Sequence, residues 1–545
     1  MKNINTFIKA MITGVLSVVV VASCSDNSDF VEQFPDINIQ VEDIKNVYYY
    51  NETLVIDPTI TYGEETGENL DFSYQWDLFS ENELISVSEN KTLEYLLDSI
   101  GVMNFNLKVT NNTTNVIQST TFQINVESVS SQGWYVMKQT AAGNTEIDGF
   151  YVSSEIPNYN LVEKTLGAPL EGMPVGFAFS PYYKWKPSED DVYYSSAPAL
   201  VAFSEEDGLA YNVNNARTLS TLEDMFFLNP EDQEGQIKSV MISGDKVFMS
   251  KGAKVYSMND GNPAFFPAIE GDYSVEGLAT KGSYGNTLAF DSKNERYIMF
   301  GSAGYSTSDT IGFFKDQYTD FNNGLEIPVN NMNGQAIFLE NTQRGSGYSS
   351  TTYAYSLFRK HDDQDALFLY GFDYDKFVEG FYYYYPNPGD YSNYTLYKAG
   401  RNNPITFEKR LSHAEYSMLT SAGFYAMNKG NNILYFANSS SIGLYNIDSD
   451  TYNPSFIKNI PAGEEITYLK YINTNFSSLD PNFTGLVVAT YQSGTDTYKI
   501  YRYQLNGLST VELQDDIKTG QGKVSDVLYV SASSYSWSSQ LYQYN

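Results

Sequence analysis

The chain has 545 residues, with 66 Asp+Glu against 33 Lys+Arg for a formal net charge of −33, one Cys and two His. That acidic excess disfavours nucleic acid and anionic membranes, which need basic surface, while one Cys excludes a disulfide framework or Cys-based zinc site and two His exclude a multi-His metal centre. The 47 Tyr, 33 Phe and low charged fraction of 18% fit an all-β extracellular protein of about two to four domains.

In chain order, Lys2 and Lys9 form a positive start. An apolar run follows at 12–21, too short to span a bilayer comfortably. It ends in Val21-Ala22-Ser23-Cys24, which resembles the bacterial lipobox: a branched residue, two small ones, then the Cys that carries diacylglycerol. The expectation is a lipoprotein signal peptide at 1–23 and lipidation at Cys24. Cleavage there removes Lys2 and Lys9 and takes the net charge from −33 to −35. The acyl chains, not the surface, must then hold the protein to a membrane. Residues 24–35 read as a flexible tether. Its Ser25-Asp26-Asn27-Ser28-Asp29 resembles the surface-export signal of Bacteroidota lipoproteins, which implies an outer-membrane, exterior location.

Residues 36–130 read as strands. The segments 37–41, 53–56, 71–76, 104–110 and 121–126 are rich in β-branched and aromatic residues, several alternating apolar with polar. Asn111-Asn112 marks a turn between the last two. A lone Trp76 on a middle strand suggests a β-sandwich with the indole at its centre. The pattern Tyr74-x-Trp76 followed by Gly101-x-x-x-Phe105-x-Leu107-x-Val109-Thr110 resembles PKD-like, immunoglobulin-type domains, which are usually spacers or interaction platforms.

Gly133-Trp134-Tyr135-Val136-Met137 opens a new series running from 134 to 545. Strand meanders recur at a loose spacing with no long amphipathic helix; 221–227 is one short helical candidate. The clearest pairs are 286–291 with 296–300, 423–427 with 432–437 and 441–445, and 485–490 with 498–503. Each meander ends in a Tyr-rich strand and cannot bury both faces alone. Radial stacking solves that problem, so the region reads as a β-propeller of about seven blades. The expected blades are 134–170, 171–228, 236–268, 271–322, 332–398, 405–458 and 462–515. Segment 524–530 is left over to complete the first blade and close the ring. The order of lipobox, PKD-like domain, Gly-Trp-Tyr-Val start and propeller resembles the PKD-like family surface lipoproteins of Bacteroidota. That resemblance implies an accessory role beside a TonB-dependent transporter and its SusD-like lipoprotein.

Catalytic signatures are sparse. The sequence has no phosphate loop, Gly-x-Ser-x-Gly elbow, His-Glu-x-x-His or Cys-x-x-Cys, and nothing in it calls for a cofactor. His361 reads as a charged hairpin tip, and His413 lies just before a blade strand. Asp362-Asp363-Gln364-Asp365 and Asp448-Ser449-Asp450 offer clustered oxygens without EF-hand spacing. The aromatic clusters point to binding instead. Tyr182, Tyr183 and Trp185 end a strand before Pro187, and Tyr382, Tyr383, Tyr384 and Tyr385 precede Pro386. Strand side chains alternate, so such runs cannot all point inward. Exposed Tyr and Trp suit sugar rings, peptide side chains or a partner protein. The favoured reading is a non-enzymatic outer-membrane lipoprotein that binds oligopeptide, glycan or the transporter itself. The alternatives are a propeller hydrolase or lyase using carboxylates or His413, and a purely architectural subunit.

Overall fold

The computed structural model describes residues 35–530 apart from short internal stretches, the longer being 67–70, 128–131, 187–194, 228–234, 260–263, 282–286, 303–308, 345–350, 374–381, 385–394, 398–401 and 475–481. The chain divides into two compact units, the first drawn mainly from residues up to Asn125 and the second from Val126 onward.

The first unit is all-β. A five-stranded sheet runs in the order Tyr48–Tyr49, Ile117–Glu127, Gly101–Asn111, Phe72–Ser80 and Glu83–Ser88. Beside it are a three-stranded sheet (Ile37–Gln40, Thr59–Tyr62, Glu65–Thr66) and the pair Thr53–Ile56 with Leu93–Leu96. Alternation decides the core: Phe105, Leu107 and Val109 are buried on one face of their strand. Trp76 is fully buried, donates Nε1–H to the Asn90 carbonyl at 2.9 Å, and sets its edge on Phe122. The Asn111 side chain accepts the backbone N–H groups of Thr113 and Thr114. That Asx turn makes the closing hairpin.

The second unit is a β-propeller. Among the described residues, seven sheets of three to five strands follow one another along the chain. Their inner strands are Lys523–Val530 (blade 1), Pro174–Trp185 (2), Ile237–Ser243 (3), Ala279–Lys281 (4), Gly334–Arg344 (5), Phe424–Asn428 (6) and Glu465–Asn473 (7). Each packs on the next in that order. The inner strand of blade 7 packs on Lys523–Val530, which packs in turn on the inner strand of blade 2, so the ring closes. Blade 1 therefore joins both ends of the unit: the C-terminal strand pairs antiparallel with Gly133–Gln139, which pairs with Thr145–Tyr151. Gly133 begins this blade at φ 149°, where a Cβ would meet the Phe150 carbonyl oxygen at 2.4 Å.

The driving force sits between the blades, where each of the seven interfaces holds its own apolar cluster. Much of the Tyr excess lies there. Tyr135, Tyr297, Tyr370, Tyr435, Tyr445, Tyr498 and Tyr529 are fully buried.

One expected blade boundary is corrected. Ile405–Ser412 does not open blade 6; it pairs with Asp363–Phe372 as the outer strand of blade 5. The chain makes an excursion between these two strands, which includes the small hairpin of Tyr382–Tyr384 with Thr395–Tyr397. That insertion displaced the apparent period. The helical candidate at 221–227 is a 3-10 turn at Glu223–Met225.

Candidate functional site

Strands alternate in direction within a blade. The end of the second strand of blade 5, Thr351–Lys360, therefore meets the start of the third, Asp363–Phe372, and the end of the outer one, Ile405–Ser412, at one rim. From that rim residues 413–423 cross to blade 6 through the short helix Ser417–Thr420. Between these elements lies an open cavity of about 350 Å³ lined by Arg359, Gln364, Asp365, Ala366, His413, Thr420, Ser421 and Ala422.

His413 is anchored at both ends. Its backbone N–H donates to the Asp365 carbonyl at 2.8 Å, and its Nδ1 lies 2.8 Å from Thr420 Oγ1. The Thr420 hydroxyl has one proton and lies 3.1 Å from the carbonyls of both Tyr416 and Ser417. With that proton on a carbonyl, the hydroxyl accepts from His413 in the tautomer protonated at Nδ1, and that tautomer leaves Nε2 as an acceptor. Arg359, half-buried, donates Nη2–H to the Thr420 carbonyl at 3.1 Å. The Gln364 amide donates to the Lys360 carbonyl at 2.7 Å, and the Ser421 hydroxyl donates to the Ser417 carbonyl at 2.7 Å. Phe338 meets Tyr425 across the two blades, and burial pushes the Tyr425 hydroxyl up to about 12 against the opposing charge of Arg359.

The aromatic candidates lie elsewhere. The inner strands run the same way round the ring: the blade 5 one starts at the cavity rim, where Gly334 pairs with Lys360, and the blade 2 one starts beside Leu170, which bridges Thr145 at the start rim of blade 1. Tyr183 and Trp185, at the end of the blade 2 inner strand, therefore sit at the opposite rim from the cavity. Tyr183 is not a surface ligand: it is 4% exposed inside the apolar cluster between blades 2 and 3, and Trp185 packs partly buried against the same cluster. Burial lifts the Tyr183 hydroxyl to about 12. Tyr182, Tyr382, Tyr383 and Tyr384 are placed on strands, and their side chains lie outside the described residues. Cys24 and Tyr385 lie outside them altogether.

The remaining candidates are committed to local bonds. His361 Nε2 pairs with Glu295 at 2.9 Å in an exposed bridge from blade 5 to blade 4. Asp363 takes a two-pronged grip on Arg410 at 2.7 and 3.0 Å. Asp450 accepts from Lys409 and Tyr445, each at 2.7 Å, and Asp448 accepts from Asn432. Among the described residues no group of three or more His, Cys, Asp or Glu is placed to hold a metal ion.

Sequence reasoning passed over Arg359, Gln364 and Thr420. The available signal was a guanidinium ending an apolar strand, Ser356-Leu357-Phe358-Arg359, opposite the His413 segment. It reads as an ordinary hairpin tip until the blade 5 pairing brings the two together.

In overall trace the chain is similar to a quinoprotein alcohol dehydrogenase-like protein of Bacteroides thetaiotaomicron (12% identity, 92% of this chain and 100% of that one, TM-score 0.38). It is also similar to the WD40 domain of SCAP from fission yeast (11%, 65% and 74%, TM-score 0.32), and to the dihydro-heme d1 dehydrogenase NirN (10%, 73% and 75%, TM-score 0.35). At these scores the propeller assignment rests on the closed ring itself, and no activity transfers. No curated protein matches the sequence. Residues 31–174 match the PKD-like family, a span that takes in the first unit and the strands Gly133–Gln139 and Thr145–Tyr151 of blade 1.

Proposed function

We propose that this chain is a non-enzymatic lipoprotein of the outer-membrane surface, held by a diacylglyceryl group on Cys24, and that its propeller captures oligopeptide or glycan as an accessory of a TonB-dependent transporter and its SusD-like lipoprotein. The observation that carries the capture reading is the 350 Å³ polar cavity at the seam of blades 5 and 6, of a size suited to a small ligand or the end of a larger one. Anchoring is supported by the lone Cys standing at the end of a lipobox-like segment. The location and the transporter partners rest on resemblance to Bacteroidota surface lipoproteins.

Three measurements test this. Labelling of cells with an alkyne palmitate analogue should tag the wild type and not a Cys24→Ala variant. Pull-down of the native protein should recover a transporter and a SusD-like protein. Peptide and glycan arrays should give binding without turnover. Recovery as a lone protein with silent arrays would remove the capture reading. Turnover lost on His413→Ala would replace it with a propeller enzyme.

A further inference from the structure

We propose that the cavity between blades 5 and 6 selects its ligand by a single free carboxylate, a peptide C-terminus or a terminal uronic acid, with Arg359 as the group that takes it. The proposal rests on the capture reading above and names what is captured.

Three observations carry it. The first is charge. The chain has twice as many acidic as basic residues, and other arginines of the propeller have found carboxylates: Arg296 with Asp291, Arg410 with Asp363 and Arg502 with Asp516. Arg359 has no carboxylate within ion-pair distance among the described residues. One of its N–H groups goes to the Thr420 carbonyl, and a guanidinium carries five.

The second is the donor and acceptor inventory of the lining. Gln364 and Ser421 have spent donors on backbone carbonyls, and His413 has spent its Nδ1 proton on Thr420. What they offer a ligand is mainly acceptors: the Gln364 carbonyl (beside its one remaining amide N–H), the Ser421 oxygen and, in the tautomer protonated at Nδ1, His413 Nε2. One planar cationic fork amid acceptors is the complement of a carboxylate flanked by N–H or O–H donors. A terminal amino acid has a carboxylate beside its amide N–H, and a uronic acid has one beside hydroxyls.

The third is Asp365. It lines the same cavity, and its charge acts on Arg410. It opposes any anion in the cavity, so one carboxylate binds only through direct contact with Arg359, and each further negative group, with no second cation in the lining to meet it, is disfavoured.

The test uses the full lipid-free chain in calorimetric titrations with four probes: an N-acetyl tripeptide as free acid and as C-terminal amide, and a trisaccharide ending in glucuronic acid or in glucose. The expected result is that one acid binds about 10- to 100-fold tighter than its neutral partner, the range of a hydrogen-bonded charge pair. Arg359→Gln should erase that preference, and Arg359→Lys should keep part of it. Because Arg359 also holds the Thr420 carbonyl, the wild-type acid-to-neutral ratio decides without any variant. Binding within two-fold for both pairs overturns carboxylate selection and leaves capture standing. A preference that survives Arg359→Gln in a folded variant also overturns it. No binding by any of the four overturns both.

Discussion

The seam that closes the propeller makes a quantitative prediction at Asp148. This carboxylate lies on the third strand of blade 1 and is fully buried beside Lys138, itself 3% exposed, at 2.8 Å. It also accepts the Asn160 backbone N–H at 2.9 Å and the Tyr498 hydroxyl of blade 7 at 2.6 Å. Burial, with the Asp148 charge next, drives the Tyr498 hydroxyl far above its ordinary range, so it stays a proton donor at every accessible pH. Asp148→Asn keeps the shape and removes the charge, which leaves the buried Lys138 ammonium bonded to neutral oxygens, that of Asn160 among them, with the Glu146 charge not hydrogen-bonded to it. Breaking one side of a buried pair costs about 3–5 kcal/mol. Tyr498→Phe removes one hydrogen bond to a charged group and costs about 1.5–3 kcal/mol. The two residues come from opposite ends of the unit, so a double-mutant cycle isolates the clasp. Replacing all three polar groups (Lys138→Met, Asp148→Leu, Tyr498→Phe) should recover most of the loss, leaving the Asn160 N–H orphaned. Urea unfolding followed by tyrosine fluorescence reads each value. An Asp148→Asn cost below about 1 kcal/mol, or no coupling to Tyr498, would refute the clasp.

Other predictions concern acid stability, the first unit and the aromatic candidates. Glu464 is pushed up by burial, but bonds from Lys499 (2.5 Å), Thr490 (2.6 Å) and Tyr501 (2.9 Å) outweigh it and hold the carboxyl below its usual 4.5. A depressed folded pKa stabilises above the unfolded value and loses that stability as pH falls through the folded one. Glu464→Gln should therefore flatten the acid-unfolding curve below pH 4.5, and an unchanged curve would contradict the network. Trp76→Ala removes a fully buried indole and its bond to Asn90, so it should cost the first unit about 3–5 kcal/mol, seen as a lowered first transition in calorimetry. Tyr183→Ala should cost about 3–5 kcal/mol in the propeller, while Tyr183→Phe should leave array binding within two-fold. A Tyr183→Phe variant that folds normally and loses binding would restore the surface role first read from its sequence.

The fold was largely legible because β meanders announce themselves locally. Alternation located the strands around Phe105 and Phe122, and the left-over segment at 524–530 had to complete something. Blade 5 resisted because its outer strand returns only after an excursion, and sequence proximity assigned it to its neighbour. The cavity was less legible. Arg359 and His413 are 54 positions apart in the sequence, and only the pairing of Asp363–Phe372 with Ile405–Ser412 brings their segments to one rim. Tyr183 misled for a related reason: an aromatic run at a strand end looks exposed until the next blade covers it.

Capture at the seam of blades 5 and 6 is tested most directly by hydrogen–deuterium exchange on the full chain, with and without the tightest array ligand at saturation. Exchange should slow at 361–366 and 413–422, with the opposite rim around Lys184 and Trp185 unchanged. Protection at that opposite rim alone, or no protection anywhere under saturating ligand, would contradict capture at this seam.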